Sequence, residues 1–236
     1  MLLKGLQLAA RDVARGALPP VRVEGLKISI KELVDDLEEY DDARSTDAAE
    51  REPAEGSSPD QQSHPKNSRP QADFHDEPPE RRKLSPEWQG AHPVLCIAGR
   101  GPLDEVAAGM LAQLLAKHGL GARVISNEAV SRTHINSLDA QGVAMVCISY
   151  LDIGGNPAHL RHLLLRLRRR LSQAHVLVGF WPSEDPTRKD VRLRREVGAD
   201  YYVSSLHQAV DACRAEAFGE TTGREPRFPV RQVGDS

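Results

Sequence analysis

The sequence predicts an α/β domain over residues 92–218, built on a five-stranded, all-parallel sheet with helices on both faces. Short continuous apolar runs alternate with helical patterns five times in this part of the chain. Turns rich in glycine and proline separate them. The most apolar run, residues 143–149, is typical of a strand buried on both faces. Because parallel strands need crossover connections, this alternation favours a parallel sheet.

The first two strands are predicted at residues 93–98 and 122–126. Between them lies a helix whose apolar positions recur at helical spacing: Val106, Met110, Leu111, Leu114 and Leu115. Residues 127–138 are weakly helical and lead into the third strand at 143–149.

The second half of the domain repeats the alternation. A helix presents leucines on one side and arginines on the other, the inward leucines being Leu160, Leu163, Leu164, Leu167 and Leu171. Strands at 176–181 and 199–203 flank a short helix at 192–197, and a helix over 206–217 closes the domain. Five such units favour a flavodoxin-like three-layer sandwich with strand order 2-1-3-4-5.

Residues 1–42 predict a helical hairpin in front of this domain. The second helix carries an apolar stripe formed by Val23, Leu26, Ile30, Leu33, Leu37 and Tyr40. A hairpin of this size cannot support a core alone, so the stripe needs a partner. That partner is a second copy of the chain, the C-terminal domain, or protein outside this chain.

Residues 43–91 predict a disordered linker, since they hold seven prolines and few aliphatic residues. Residues 35–80 carry fifteen acidic and four basic side chains, a net charge of −11. Such a segment buries too little apolar surface to offset its ordering entropy. Phe74 and Trp88 either dock on a folded part of the protein or make no specific contact. Residues 219–236 predict a disordered tail.

Composition narrows the class of protein. The 236 residues carry a net charge of −3, which argues against a generic polyanion binder. No stretch approaches the roughly 20 apolar residues that cross a bilayer, and the N-terminus lacks a secretory signal. Cys96, Cys147 and Cys213 lie in apolar surroundings, so we expect buried thiols in a reducing cytoplasm.

A binding site is predicted where the loops after strands one and three meet, at the carboxyl edge of the sheet. The candidate ligand-binding residues are Gly99, Arg100, Gly101, Asp104, Ser149, Tyr150, Asp152, Gly154 and Gly155. Glycines let backbone amides approach a ligand, and Arg100 adds a charged planar fork. In the alternative interpretation the glycines form a tight turn, Asp104 caps a helix and Arg100 is solvated.

Known catalytic patterns do not fit these loops. The dinucleotide fingerprint lacks its third glycine, because Pro102, Leu103 and Asp104 follow Gly101. No Walker lysine, GxSxG serine or receiver-domain acidic cluster is present, and Cys147 lies inside a strand. His159 and His162 share a helix face without a third ligand. We therefore predict no catalytic residue, no metal site and no enzyme.

A basic cluster is predicted on the fourth and fifth units. Its members are Arg166, Arg168, Arg169, Arg170, Arg192, Arg194 and Arg195. An anionic membrane surface or the acidic linker would suit this charge, and a solvated helix face is the plainer alternative. No aromatic platform or nucleic-acid-binding motif accompanies it, so nucleic acid is not an expected partner.

Two family resemblances follow from these residues. Residues 92–218 resemble a cobalamin-binding domain of the flavodoxin-like class, through the small-residue loop after strand three and the strand at 176–179. That family carries its cobalt-ligating histidine in Asp-x-His-x-x-Gly after strand one. This chain has residues 99–104 there, and no histidine lies between Pro93 and Lys117. No cofactor is therefore predicted.

The whole arrangement is also similar to the cytoplasmic C-terminal part of bacterial autoinducer-2 exporter-like permeases. Residues 3–9, 32–37, 94–101 and 110–115 carry the resemblance, which covers about 170 residues and marks no catalytic site. The membrane helices of those permeases have no counterpart in this chain, so it is either their separated soluble part or a free-standing relative.

This resemblance implies a non-enzymatic cytoplasmic module that regulates or senses a ligand, located at the inner face of the membrane. Its expected partners are a permease domain, the membrane surface, or a second copy through the N-terminal helix. The alternative is a small enzyme or cofactor carrier that takes a phosphorylated or corrinoid ligand in the same pocket.

Overall fold

A computed structural model describes residues 2–38, 83–151, 158–181 and 198–219. In chain order its helices and strands are α1 (Leu2–Ala14), α2 (Pro20–Glu38), β1 (Val94–Ala98), α3 (Asp104–Lys117), β2 (Ala122–Ile125), β3 (Met145–Tyr150), α4 (Ala158–Arg170), β4 (His175–Phe180), β5 (Tyr201–Val203) and α5 (Leu206–Ala217). The predicted linker up to residue 82, the helix at 192–197 and the tail from residue 220 lie outside the described residues. None of the described helices is long and apolar enough to cross a membrane.

The five strands form one parallel sheet in the order β2-β1-β3-β4-β5, which confirms the predicted class and strand order. Cys96 of β1 lies opposite Val124 of β2 on one side and Cys147 of β3 on the other. All six residues of β3 are buried, while the edge strands β2 and β5 are partly exposed. The most apolar run of the sequence is therefore the centre of the sheet, as expected for a strand covered on both faces.

Two cores cover the two faces of the sheet, because successive side chains of a strand point to opposite sides. On the first face, Cys96, Cys147 and Leu177 pack with apolar residues of α3 and α5. On the second face, Ile97 and Ile148 pack with the leucines of α4. The leucines predicted to face inward are all buried there, at residues 160, 163, 164 and 167 of α4 and at residue 171 directly after it.

The N-terminal helices pack on the first face, outside α3. Gly16 ends α1 with φ +73°, a backbone conformation that glycine adopts at little cost. Leu6, Val23 and Ile30 are buried in the same core as α3, and the Gln113 side-chain amide of α3 donates to the Val34 carbonyl of α2. Of the three partners proposed for the α2 stripe, the α/β domain of the same chain is therefore the one that it contacts.

The stripe differs from the predicted one in detail. Leu33 is 45% exposed, whereas the neighbouring Val34 packs against the core. The side chains of Leu37 and Tyr40 lie outside the described residues. The α2 side chains Val23, Leu26 and Ile30 already pack in the core of the same chain. A dimer through this helix would therefore need another face of it, and such a dimer stays a prediction.

The last nine residues of the predicted linker, 83–91, belong to the folded part. Pro86–Trp88 forms a turn of 3-10 helix, and Trp88 is only 2% exposed in the first core. Ser85 donates from its backbone amide (2.8 Å) and its hydroxyl (2.9 Å) to the Ala217 carbonyl at the end of α5. Trp88 thus docks, whereas Phe74 lies outside the described residues.

The weak helix predicted at 127–138 is instead two separate 3-10 turns, Glu128–Val130 and Ile135–Ser137. Local polar side chains compete with helical hydrogen bonding in this segment. The Ser126 hydroxyl accepts from the Ala129 amide (3.4 Å), and the Ser131 hydroxyl contacts Thr133 Oγ1 (3.0 Å). Val130 and Ile135 anchor the segment in the second core.

Replacing Ile30 by alanine should destabilise the protein by about 2–4 kcal/mol, because it leaves a cavity where α2 enters the core. Ile28→Ala is the matched control on the same helix, since Ile28 is 58% exposed. Its effect should stay within about 0.5 kcal/mol. Urea unfolding of both variants measures the difference, and equal free energies of unfolding would contradict the packing of α2 described above.

Candidate functional site

A buried carboxylate joins the two loops that the sequence placed at the carboxyl edge of the sheet. Asp104 begins α3 and is 1% exposed. Its Oδ2 accepts from the Gly101 amide (2.8 Å) and its Oδ1 accepts from the Leu151 amide (2.9 Å). Hydrogen bonds to a charged acceptor contribute about 1.5–3 kcal/mol each. Asp104 therefore holds the loop after β1 against the loop after β3.

Gly99 lets these parts approach closely. Its amide donates to the Ser149 carbonyl at 2.9 Å. A Cβ at this position would overlap Asp104 Oδ2 and lie 2.6 Å from the Tyr150 ring and 2.7 Å from the Ser149 carbonyl. Any larger residue would push the two loops apart. Arg100 is consequently held between two anchored glycines, Gly99 and Gly101.

At this junction several of the predicted pocket residues are buried in the fold. Ser149 and Tyr150 are buried, and neither hydroxyl has a hydrogen-bond partner among the described residues. Burial raises the pKa of the Tyr150 hydroxyl above its ordinary value; the Asp104 carboxylate raises it further and Arg100 opposes the shift. Asp152, Gly154 and Gly155 lie outside the described residues. Among the predicted pocket residues that the structure describes, Arg100 lines an open space.

That space is a groove of about 700 Å³ on the second face, between α4 and the segment 127–133. This size falls within the range of about 300–1,000 Å³ common for small-molecule sites. The α4 wall consists of His159, His162, Leu163, Leu165, Arg166 and Arg169. The opposite wall consists of Asn127, Ser131, Arg132 and Thr133, and Arg100 stands at one end.

Both walls run from the carboxyl edge of the sheet towards its amino edge. α4 starts after β3 and ends before β4, so it spans the sheet in this direction. The opposite wall is fixed at the carboxyl edge, where Asn127 Nδ2 donates to the Ala98 carbonyl (3.4 Å). Beyond it the chain is fixed near the end of α4, where Arg170 donates to the Leu138 carbonyl (2.6 Å). The groove is therefore elongated along α4.

The groove is cationic. Four arginines and two histidines line it, and no carboxylate occurs among the lining residues that the structure describes. None of the four arginines forms an ion pair within the described part of the chain. The Arg166 Nε is shielded from solvent and has no acceptor among the described residues. Buried donors are normally paired, so this nitrogen, like Arg123 Nε, is an exception among the described residues.

Other arginines nearby are committed to the fold. Arg168 donates to Asp200 Oδ2 at 2.7 Å, and the same oxygen accepts from the Val176 amide at 2.7 Å. Arg123 contacts Asp139 across the edge of the sheet. The predicted basic cluster thus divides: Arg166 and Arg169 line the groove, whereas Arg168 and Arg170 brace the fold. Arg192, Arg194 and Arg195 lie outside the described residues.

A serine–histidine–carboxylate group lies next to the groove, but its geometry differs from a catalytic triad. Ser131 Oγ is 3.0 Å from His134 Nδ1, and Glu128 Oε1 is 3.6 Å from the same nitrogen. In a triad the serine and the carboxylate contact different ring nitrogens. The His134 and Glu128 side chains are 54% and 79% exposed, so they also lack the shielded setting of a triad.

The three cysteines are buried in the first core, as predicted from their surroundings. Cys147 Sγ lies 3.7 Å from Cys213 Sγ. Its contact with Cys213 and its burial raise the pKa of the Cys147 thiol, and burial raises that of Cys96. Protonated buried thiols are poor nucleophiles. No group of three metal-ligating side chains occurs within the described ranges.

No protein-family model, curated protein or solved structure matches this chain. The family resemblance therefore remains a prediction from the sequence. The groove is interpreted from the chemistry of the residues that line it.

The sequence predicts residues at one end of this groove and on its α4 wall, but not the opposite wall. Arg100 belongs to the predicted pocket, and Arg166 and Arg169 belong to the predicted basic cluster. Asn127 and the polar stretch 131–133 carry no periodic signal. Their position beside α4 arises from tertiary packing of Val130 and Ile135, which a local pattern does not reveal.

Removing the Asp104 carboxylate should destabilise the protein by about 2–5 kcal/mol, because Asp104→Ala leaves two buried amides without an acceptor. Glu105→Ala is the matched control, since Glu105 is the next residue of α3 and is exposed. Its effect should be within about 0.5 kcal/mol. Thermal and urea unfolding compare them. Equal stability of the two variants would show that Asp104 does not hold the loops together.

Proposed function

We propose that this chain is a non-enzymatic, ligand-sensing module that binds a small anionic molecule in the groove along α4. The observation that carries the proposal is the charge of the described lining, which has four arginines and no carboxylate. None of these arginines forms an ion pair with another described residue. Cations gathered without a counter-charge repel one another, and a bound anion would relieve that repulsion. Planar guanidinium groups suit phosphate and carboxylate oxygens in particular.

The arginines of the groove stand on rigid parts of the fold, which supports ligand binding over a chance gathering of surface charges. Arg166 and Arg169 project from a helix whose leucines are buried, and Arg100 lies on a loop fixed by Asp104. Side chains on rigid supports lose less entropy when a ligand orders them. Arg132 lies on a wall anchored by the buried Val130 and Ile135.

A sensing role agrees with the expectation drawn from the permease resemblance, and the anionic ligand agrees with the phosphorylated ligand considered for an enzyme or carrier. The described groove offers Ser131, Thr133 and two histidines. Ser131 also contacts His134, but without the arrangement of a catalytic triad. A cytoplasmic location, a permease partner and attachment to the membrane surface remain predictions from the sequence.

Binding of pyrophosphate as a probe should raise the melting temperature of the full chain beyond the effect of sodium chloride at equal ionic strength. A ligand at about 100 times its Kd stabilises the native state by roughly 2.7 kcal/mol. Arg166→Gln should weaken pyrophosphate binding about 10-fold or more, measured by isothermal titration calorimetry, because a charged hydrogen bond is lost.

Arg161→Gln is the matched control, because Arg161 lies on the same helix, is exposed and does not line the groove. It removes the same charge and should leave the pyrophosphate Kd within about 2-fold. Equal weakening by both substitutions would mean that only the general charge of α4 attracts the anion. A response no larger than that to chloride would likewise overturn the proposal.

A further inference from the structure

The distribution of charge along the groove points to the shape of its ligand. His159 and Arg169 are ten residues apart on α4, which is about 15 Å along the helix axis. Arg100 lies at the carboxyl edge of the sheet, near the first of these residues. Arg166 and Arg169 lie towards the other end. The free cations are therefore spread over a length greater than a single phosphate group.

The two ends differ in what supports them. At the carboxyl edge, Arg100 is held by the loop that Asp104 fastens, and Asn127 is fixed to the Ala98 carbonyl. At the other end, Arg166 contributes a shielded Nε that lacks an acceptor within the described residues. The opposite wall adds the hydroxyls of Ser131 and Thr133, with the guanidinium of Arg132 between them. The groove therefore offers hydroxyl groups and one further cation besides the arginines at its two ends.

We infer that the groove takes an elongated ligand with two phosphate groups joined by a polar, hydroxyl-bearing spacer, such as a sugar bisphosphate. One phosphate lies at Arg100 and the other at Arg166 and Arg169. This inference rests on the proposed function and adds the ligand class to it. A ligand bound at both ends makes favourable contacts with both sets of arginines, but it loses its translational entropy only once.

The same chemistry is offered by free sugar bisphosphates and by the phosphorylated inositol headgroups of lipids. The open side of the groove admits either. Fructose 1,6-bisphosphate and fructose 6-phosphate serve as a matched soluble pair, and vesicles with and without phosphatidylinositol 4,5-bisphosphate test the lipid source. Binding to these vesicles together with the soluble bisphosphate would assign the ligand to a lipid headgroup, and binding to the soluble compound alone would assign it to a free molecule.

The full chain should bind the bisphosphate at least about 10-fold more tightly than the monophosphate, because one more charged contact is made. Arg100→Gln and Arg169→Gln, at opposite ends, should each remove most of this preference. Arg161→Gln should leave it unchanged. Calorimetric titration of the unmodified chain and the three variants with both sugars gives, for each protein, the ratio of the monophosphate Kd to the bisphosphate Kd. Circular dichroism confirms that the variants are folded.

The outcomes separate this inference from the proposed function. Equal Kd values for bisphosphate and monophosphate, with pyrophosphate still bound, would overturn the two-ended ligand and leave an anion site. Loss of preference in only one of the two end variants would place both phosphates at that end and also contradict the inference. Absence of binding to every anion, pyrophosphate included, would remove the proposed function itself.

Discussion

The buried Asp104 carboxylate is the interaction on which the candidate site depends. It accepts one hydrogen bond from each of two loops, and those loops follow the neighbouring strands β1 and β3. Gly99 is required because nothing larger fits between the loops. Arg100 lies between Gly99 and Gly101, the two glycines that these contacts hold in place. The position of one end of the groove is thus a consequence of a buried hydrogen-bonded carboxylate several residues away.

Ion pairing then decides which cations are available. α4 carries five arginines at residues 161, 166, 168, 169 and 170, yet they have different roles. Asp200 binds Arg168 and the Leu138 carbonyl binds Arg170, so both fasten the helix to its neighbours. Arg166 and Arg169 turn to the groove, where no carboxylate of the described residues balances them. Charge that looks like one continuous run in sequence is therefore divided into structural braces and a candidate binding surface.

The fold was predictable because its signals are local. The apolar run at 143–149 indicated a central strand, and the leucine spacing of α4 indicated its buried face; both are as expected in the structure. The site was predictable at Arg100, which follows a strand at the carboxyl edge, and at Arg166 and Arg169, which belong to the predicted basic cluster. The wall formed by Asn127 and residues 131–133 could not be found in this way, because it depends on packing between segments about 30 residues apart. The pairing of Arg168 with Asp200, also 32 residues apart, is hidden for the same reason.

The most direct test of the central claim is an NMR titration of the arginine Nε–Hε signals with pyrophosphate. Our account predicts that the signals of Arg100, Arg132, Arg166 and Arg169 move together and saturate. Those of Arg123 and Arg168, which are held by Asp139 and Asp200, should stay in place. Shifts spread evenly over all arginines, or shifts at Arg161 without shifts in the groove, would contradict a site along α4.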